Sequence, residues 1–143
     1  METINPFYPG KTGRVMTAIA RYVLGIPLLV FGLNMFFNFI PTPKTEMPPG
    51  AVEFSKALAD THYMMPMIGV TFLIVSVCLV LNRFVPLALA LFAPFMVNSI
   101  LFHVCLEHSG LPMAIVFLAL ELFLAWSYRS AYRSMLAARV SPG

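Results

Sequence analysis

Charge is the scarcest feature of this chain: 10% of its residues are charged, against 59% that are hydrophobic. Soluble domains carry nearer a quarter charged residues, so this few cannot clothe a soluble globule of such apolar composition. Cysteine is scarce too. Cys78 and Cys105 have no CxxC partner, which excludes a thiol redox motif and a zinc-ribbon pattern. No glycine-rich phosphate loop, nucleophile elbow or dinucleotide fingerprint is present. The net charge of +3 is small, and its basic residues sit near span ends rather than in one patch, so a nucleic-acid partner is not expected. The N-terminus lacks signal-peptide character. Pro6, Pro9 and Gly10 precede any apolar run, and the segment is read as a retained cytoplasmic lead-in.

What is present is apolar sequence in helical lengths. A lipid bilayer accepts an apolar exterior provided that the backbone hydrogen bonds are closed within helices. Four segments are long enough to cross: roughly 15–40, 63–81, 84–106 and 111–128. The expected fold is all-α, a four-transmembrane-helix antiparallel bundle forming one integral membrane domain over 1–143. Pro27 interrupts the first span, and Pro41 and Pro43 are expected to end it. Pro48, Pro49 and Gly50 then introduce a short surface helix in the first outer loop, with Val52, Leu58 and Ala59 on its apolar side. Asn82 and Arg83 leave room only for a tight hairpin between spans two and three. The basic tail is expected to continue helical beyond span four.

Lys and Arg set the orientation. Lys11, Arg14 and Arg21 flank the first span, Arg83 the second turn, and Arg129, Arg133 and Arg139 the tail. The remaining connections are balanced or free of basic residues, so both termini are placed in the cytoplasm. Tyr22, Tyr63, Trp126 and Tyr128 fall at the inferred interfaces. This topology puts Cys78 and Cys105 at opposite ends, too far apart for a disulfide. The expected location is integral to the membrane, in the cytoplasmic membrane of a bacterium.

Polar residues at membrane depth are the functional candidates. They are Asn34 and Asn38 in span one, Asn98 and His103 in span three, and Glu121 in span four. Asn34 and Asn38 share one helical face, whereas Asn98 and His103 are about 140° apart around theirs. Ser99, His103 and Glu107 step by four, which pairs His103 with Glu107 near the outer surface. Asn98 is then expected to reach Asn34 or Glu121 in the core. Two readings stand: a buried pocket that binds a small ligand or passes protons, or a structural polar network that fastens the helices. His62, His103 and His108 lack HxxxH or HxxH spacing, so no metal site is expected, and no second histidine lies deep enough for haem.

The runs FGLNMFFNFIP (31–41), THYMMP (61–66), LNRFVPLAL (81–89), APFMVNSILFH (93–103) and LELFLAWSYR (120–129), in this order and spacing, resemble the DoxX-like membrane proteins. The resemblance spans about 21–133 and implies a compact bundle of four membrane helices. It also implies a link to membrane oxidoreductase assemblies, among them thiosulfate oxidation coupled to quinone and a complex with superoxide dismutase and a sulfurtransferase. From its small size, its short loops and the lack of a catalytic motif, the chain is read as a subunit or accessory of a larger membrane complex, with a membrane-protein partner or a second copy. The alternative is a quinone- or lipid-binding oxidoreductase component. Two departures from the family pattern weigh against an enzyme: Phe72 stands where relatives carry an acidic residue, and Met35 where they carry a small or basic one.

Overall fold

The structure is a computed structural model and describes residues 10–41, 46–133 and 135–138. The lead-in before Gly10, Lys44 in the first connection and Arg139 in the tail lie outside them. Five α-helices follow in order: α1 (Lys11–Phe37), α2 (Pro49–Asp60), α3 (Met64–Val80), α4 (Val85–Cys105) and α5 (Leu111–Ser127), then a 3₁₀ turn at Arg129–Tyr132. The described residues contain no strand. Two helices, α1 and α4, are long and apolar enough to cross a membrane on their own. Helices α3 and α5 are shorter, at 17 residues each, and equally apolar. The axis of α2 lies at 88° to that of α3.

Helix α1 packs against α3 and α5, and α4 packs against the same two. One core results, built on Leu24, Leu28, Val75, Leu79, Phe92 and Leu124. Where the surroundings are as apolar as Leu, burial drives little association. Close backbone approach and side-chain hydrogen bonds do that work instead. The α1–α3 pair shows both. A Cβ on Gly69 would stand 2.9 Å from Met35 Cβ, and one on Gly32 would stand 3.2 Å from the Gly69 carbonyl oxygen. These helices therefore meet glycine to glycine. Nearer the other end, Ser76 Oγ donates to the Gly25 carbonyl at 2.8 Å. Arg21 Nη1 donates to the Leu79 carbonyl at 2.9 Å, joining the Asn82 amide (3.3 Å) at an acceptor in the last turn of α3. Arg21 is thus a buried fastener, and α1 starts well before it, at Lys11.

The helix ends show why some boundaries move. Helix α1 stops at Phe37, ahead of Pro41, because Asn38 adopts the left-handed conformation (φ 48°) and its N–H closes on the Asn34 carbonyl at 2.9 Å. Asparagine tolerates that region far better than most residues. The α3–α4 hairpin turns through Asn82 and Phe84, both at positive φ. Among the described residues the tail does not continue as an α-helix. It breaks at Tyr128 into the 3₁₀ turn, where Tyr128 Oη donates to Asn82 Oδ1 (3.0 Å) and Tyr132 Oη to the Pro86 carbonyl (2.9 Å). Helix α2 forms where the proline pair and glycine place its start, but its inward face is Ala51, Phe54, Ser55 and Leu58. Val52 and Ala59 face outward, because a contact with α4 through Phe54 and Phe102 (centroids 5.5 Å apart) sets the rotation.

Candidate functional site

The polar group with the most complete set of partners lies at the α4–α5 turn. Glu107 follows the last turn of α4 and is buried. Its Oε1 accepts from the Ser109 amide at 2.7 Å and from the Ser109 hydroxyl, and its Oε2 accepts from the Gly110 amide at 3.0 Å. The carboxylate thus collects the free amides that lead into α5, where the helix dipole favours negative charge. The Ser109 hydroxyl and these amides, with His103 adding to them, outweigh burial and hold the carboxyl at a pKa of about 2.

His103 sits one turn back on α4. Its Nδ1 lies 3.0 Å from Glu107 Oε2 and 2.9 Å from the Glu107 carbonyl oxygen. Both neighbours are acceptors, so Nδ1 carries the proton, and Nε2 is the nitrogen left over. The imidazole also stacks edge-on against Phe102 (5.2 Å). Gly110 makes room for it. A Cβ there would overlap the ring, with Nδ1 only 2.7 Å away and Nε2 2.9 Å away. The glycine is therefore required by the histidine rather than by its own backbone angles.

The histidine borders a cavity of about 260 Å³ walled by Leu28, Phe31, Phe72, Phe95, Met113 and Phe117. Phe72 is fixed there by Phe95, edge to face at 4.6 Å, and by Phe92 at 6.0 Å. On the far side of Phe72, Phe95, Ser99 and His103 a second cavity of about 300 Å³ opens under α2, with Met35, Phe54 and Asn98 in its lining. His103 thus borders both.

The other candidates are dispersed. Asn34 is half-buried, and its Oδ1 accepts the Ile40 N–H at 2.7 Å, so it caps the end of α1. Asn38 is exposed at the left-handed cap position. Asn98 is exposed toward the cavity under α2. Glu121 is buried, but in a separate groove between α4 and α5. No hydrogen bond joins Asn34, Asn98 and Glu121 among the described residues, so the expected polar meeting point in the core is not formed. Asn34 instead satisfies a backbone amide six residues ahead, and the core between the helices is filled by phenylalanine. Ser109 and Gly110 are the residues that sequence reasoning missed. Their signal was a short polar turn after an acidic residue and immediately before a helix. No three His, Cys, Asp or Glu residues gather within reach of one metal ion among the described residues.

No match was found among curated proteins or among solved structures. The family model described as DoxX matches residues 16–104. That stretch holds the α1–α3 glycine contact, helix α2, Phe31, Phe72 and Phe95 of the aromatic wall and His103, and the chain belongs to the DoxX family.

Proposed function

We propose that this membrane protein binds a lipophilic molecule with an oxygen-bearing head in the His103 cavity, and that it does so as a component of a larger membrane assembly. One observation carries the reading. An imidazole anchored through Nδ1 to a carboxylate borders a cavity that is apolar apart from Ser99, and Nε2 is its ring nitrogen not tied to Glu107. In its neutral form Nε2 accepts from a hydroxyl head; protonated, it donates to a carbonyl head. A quinone and its quinol offer these two heads on one apolar body, and quinone is the class to which the family resemblance points. A quinone brings two-electron redox chemistry when bound. The residues here would hold its head and keep water from it.

The topology in this proposal is a bundle of four spans, α1, α3, α4 and α5, in one domain. Seventeen residues make about 25 Å of helix, near the thickness of a bilayer's hydrocarbon core. The right angle between α2 and α3 supports α2 lying along the membrane surface. The hydrogen bonds from Tyr128 and Tyr132 to the α3–α4 hairpin bring Arg83, Arg129 and Arg133 to one end, which supports a cytoplasmic placement of both termini. A bacterial cytoplasmic membrane fits this arrangement.

Replacing His103 by Leu is expected to weaken binding of a short-chain benzoquinone about tenfold, the loss of one hydrogen bond in an apolar site. Asn34→Ala is the control. It removes a helix cap and about 1 kcal/mol of stability, and leaves the affinity unchanged. Titration of both variants in lipid nanodiscs checks this, and equal affinity for wild type and His103→Leu refutes the site. The assembly is tested separately: crosslinking in mild detergent should retain a protein partner or a second copy, and a strictly solitary chain argues against it.

A further inference from the structure

The end of α5 carries a cleft that the site above does not use. Ser127, Arg129, Ser130 and Arg133 line it, around a volume of about 180 Å³. The neighbouring Tyr128 and Tyr132 bond the turn to the α3–α4 hairpin, so the cleft is built on an anchored backbone. Arg129 is held as well. Its Nη1 donates to the Trp126 carbonyl at 3.1 Å, and its guanidinium lies over the Trp126 ring, 5.0 Å from the centroid. Ser127 gives its hydrogen to the Phe123 carbonyl at 2.9 Å. The donors left over are the Ser130 hydroxyl and the other guanidinium nitrogens of Arg129 and Arg133, all on exposed residues. A helix C-terminus ordinarily disfavours an anion. Here the carbonyls of Phe123, Leu124, Trp126 and Tyr128 already accept hydrogen bonds. No acidic residue lines the cleft, and no carboxylate pairs with Arg129 or Arg133 among the described residues.

We propose that this cleft binds the phosphate of an anionic membrane lipid. The two guanidiniums offer paired N–H groups that match the oxygens of a phosphodiester, and Ser130 adds a further donor. The source is lipid rather than soluble phosphate because the cleft opens beside exposed apolar surface. Phe123, one turn from Ser127, is exposed, and so are Leu122 and Trp126. A diester seated on the arginines lays its acyl chains along that face. An exposed tryptophan at the end of a span marks the depth of the headgroups. The site rests on α5 being a span, as in the topology above, and is independent of the His103 cavity.

Trp126 is the single tryptophan of the chain, so its fluorescence reports on this end of α5 alone. The test places the full chain in phosphatidylcholine liposomes that contain a minor fraction of either phosphatidylglycerol or phosphatidylcholine brominated near the headgroup, because bromine quenches an indole that it touches. Brominated phosphatidylglycerol is expected to quench Trp126 with about tenfold preference over brominated phosphatidylcholine. Arg133→Gln leaves the Arg129–Trp126 pair intact and should cut that preference about fivefold. Arg14→Gln removes the same charge from the same end of the bundle, to which the Arg21–Leu79 bond brings the start of α1, and should leave the preference as it was. His103→Leu should also leave it unchanged. Inorganic phosphate in place of chloride, at constant ionic strength, should not displace the lipid. Quenching by neither lipid would remove α5 as a span and the site with it. Equal quenching by the two lipids overturns the site alone, as does a preference that survives Arg133→Gln or falls as far in Arg14→Gln. Displacement by inorganic phosphate overturns lipid as the source.

Discussion

Gly69→Leu should destabilise the protein by about 3 kcal/mol or more, the largest effect expected of any single substitution outside the binding site. The Cβ alone would come within 2.9 Å of both Met35 Cβ and Phe36 Cε2. Phe36 is exposed and can swing aside, but Met35 Cβ is tied to the α1 backbone, so the helices must separate. Separation would also stretch the hydrogen bonds from Ser76 to Gly25 and from Arg21 to Leu79, which need the same close approach. Gly10→Ala is the matching control, because a Cβ there meets nothing within 4 Å among the described residues. It should change stability by no more than about 0.5 kcal/mol. Equilibrium unfolding in detergent compares the two, and similar midpoints would show that the α1–α3 contact is looser than described.

The second large effect concerns Glu107 and pH. Its folded-state pKa of about 2 lies below the ordinary value of 4.5, with the Ser109 hydroxyl as the leading cause. A carboxyl whose pKa falls on folding stabilises the fold above its unfolded-state pKa. That stabilisation is complete at neutral pH, starts to fall near 4.5, and is gone below about 2. Glu107→Gln should therefore unfold at a lower temperature than wild type from pH 7 down to about 5, by a few degrees. The gap should close as the pH falls through the window between those two values. Thermal melts of both proteins across that range check it. A gap that persists unchanged at the acid end would mean that shape rather than charge holds the α4–α5 turn. His103 should lose its fixed orientation over the same range, because Oε2 is one of its two anchors.

Much of the architecture could be read before any coordinates, and the reasons are local. Leucine- and valine-rich runs bounded by Pro66, Pro86 and Pro112 mark helices wherever they sit, and α3, α4 and α5 begin within two residues of the expected positions. The His103–Glu107 contact follows from a spacing of four on a helix end. The rotation of each helix was harder to read. When both lipid and protein interior are apolar, an amphipathic stripe no longer separates them. For that reason Val52 and Ala59, expected on the inner side of α2, face outward while Leu58 faces in, and Asn98 stays out of the core it was expected to reach. Asn34 misled for another reason. A buried amide was assumed to need a partner across the bundle, yet the nearest orphan N–H was on its own chain, at Ile40. The glycine contact of α1 with α3 depends on two helices at once, so nothing within either segment announced it.

The central claim is that His103 presents a free Nε2 to a lipophilic head while Glu107 holds the opposite nitrogen. Nitrogen-15 NMR of histidine-labelled protein in nanodiscs, titrated with a short-chain benzoquinone, tests it most directly. His103→Gln assigns the resonances against those of His62 and His108. The account predicts that the His103 Nε2 resonance shifts as the quinone is added, while its Nδ1 resonance keeps the signature of a protonated nitrogen bonded to a carboxylate. A His103 Nε2 resonance that stays in place at saturating quinone would contradict it.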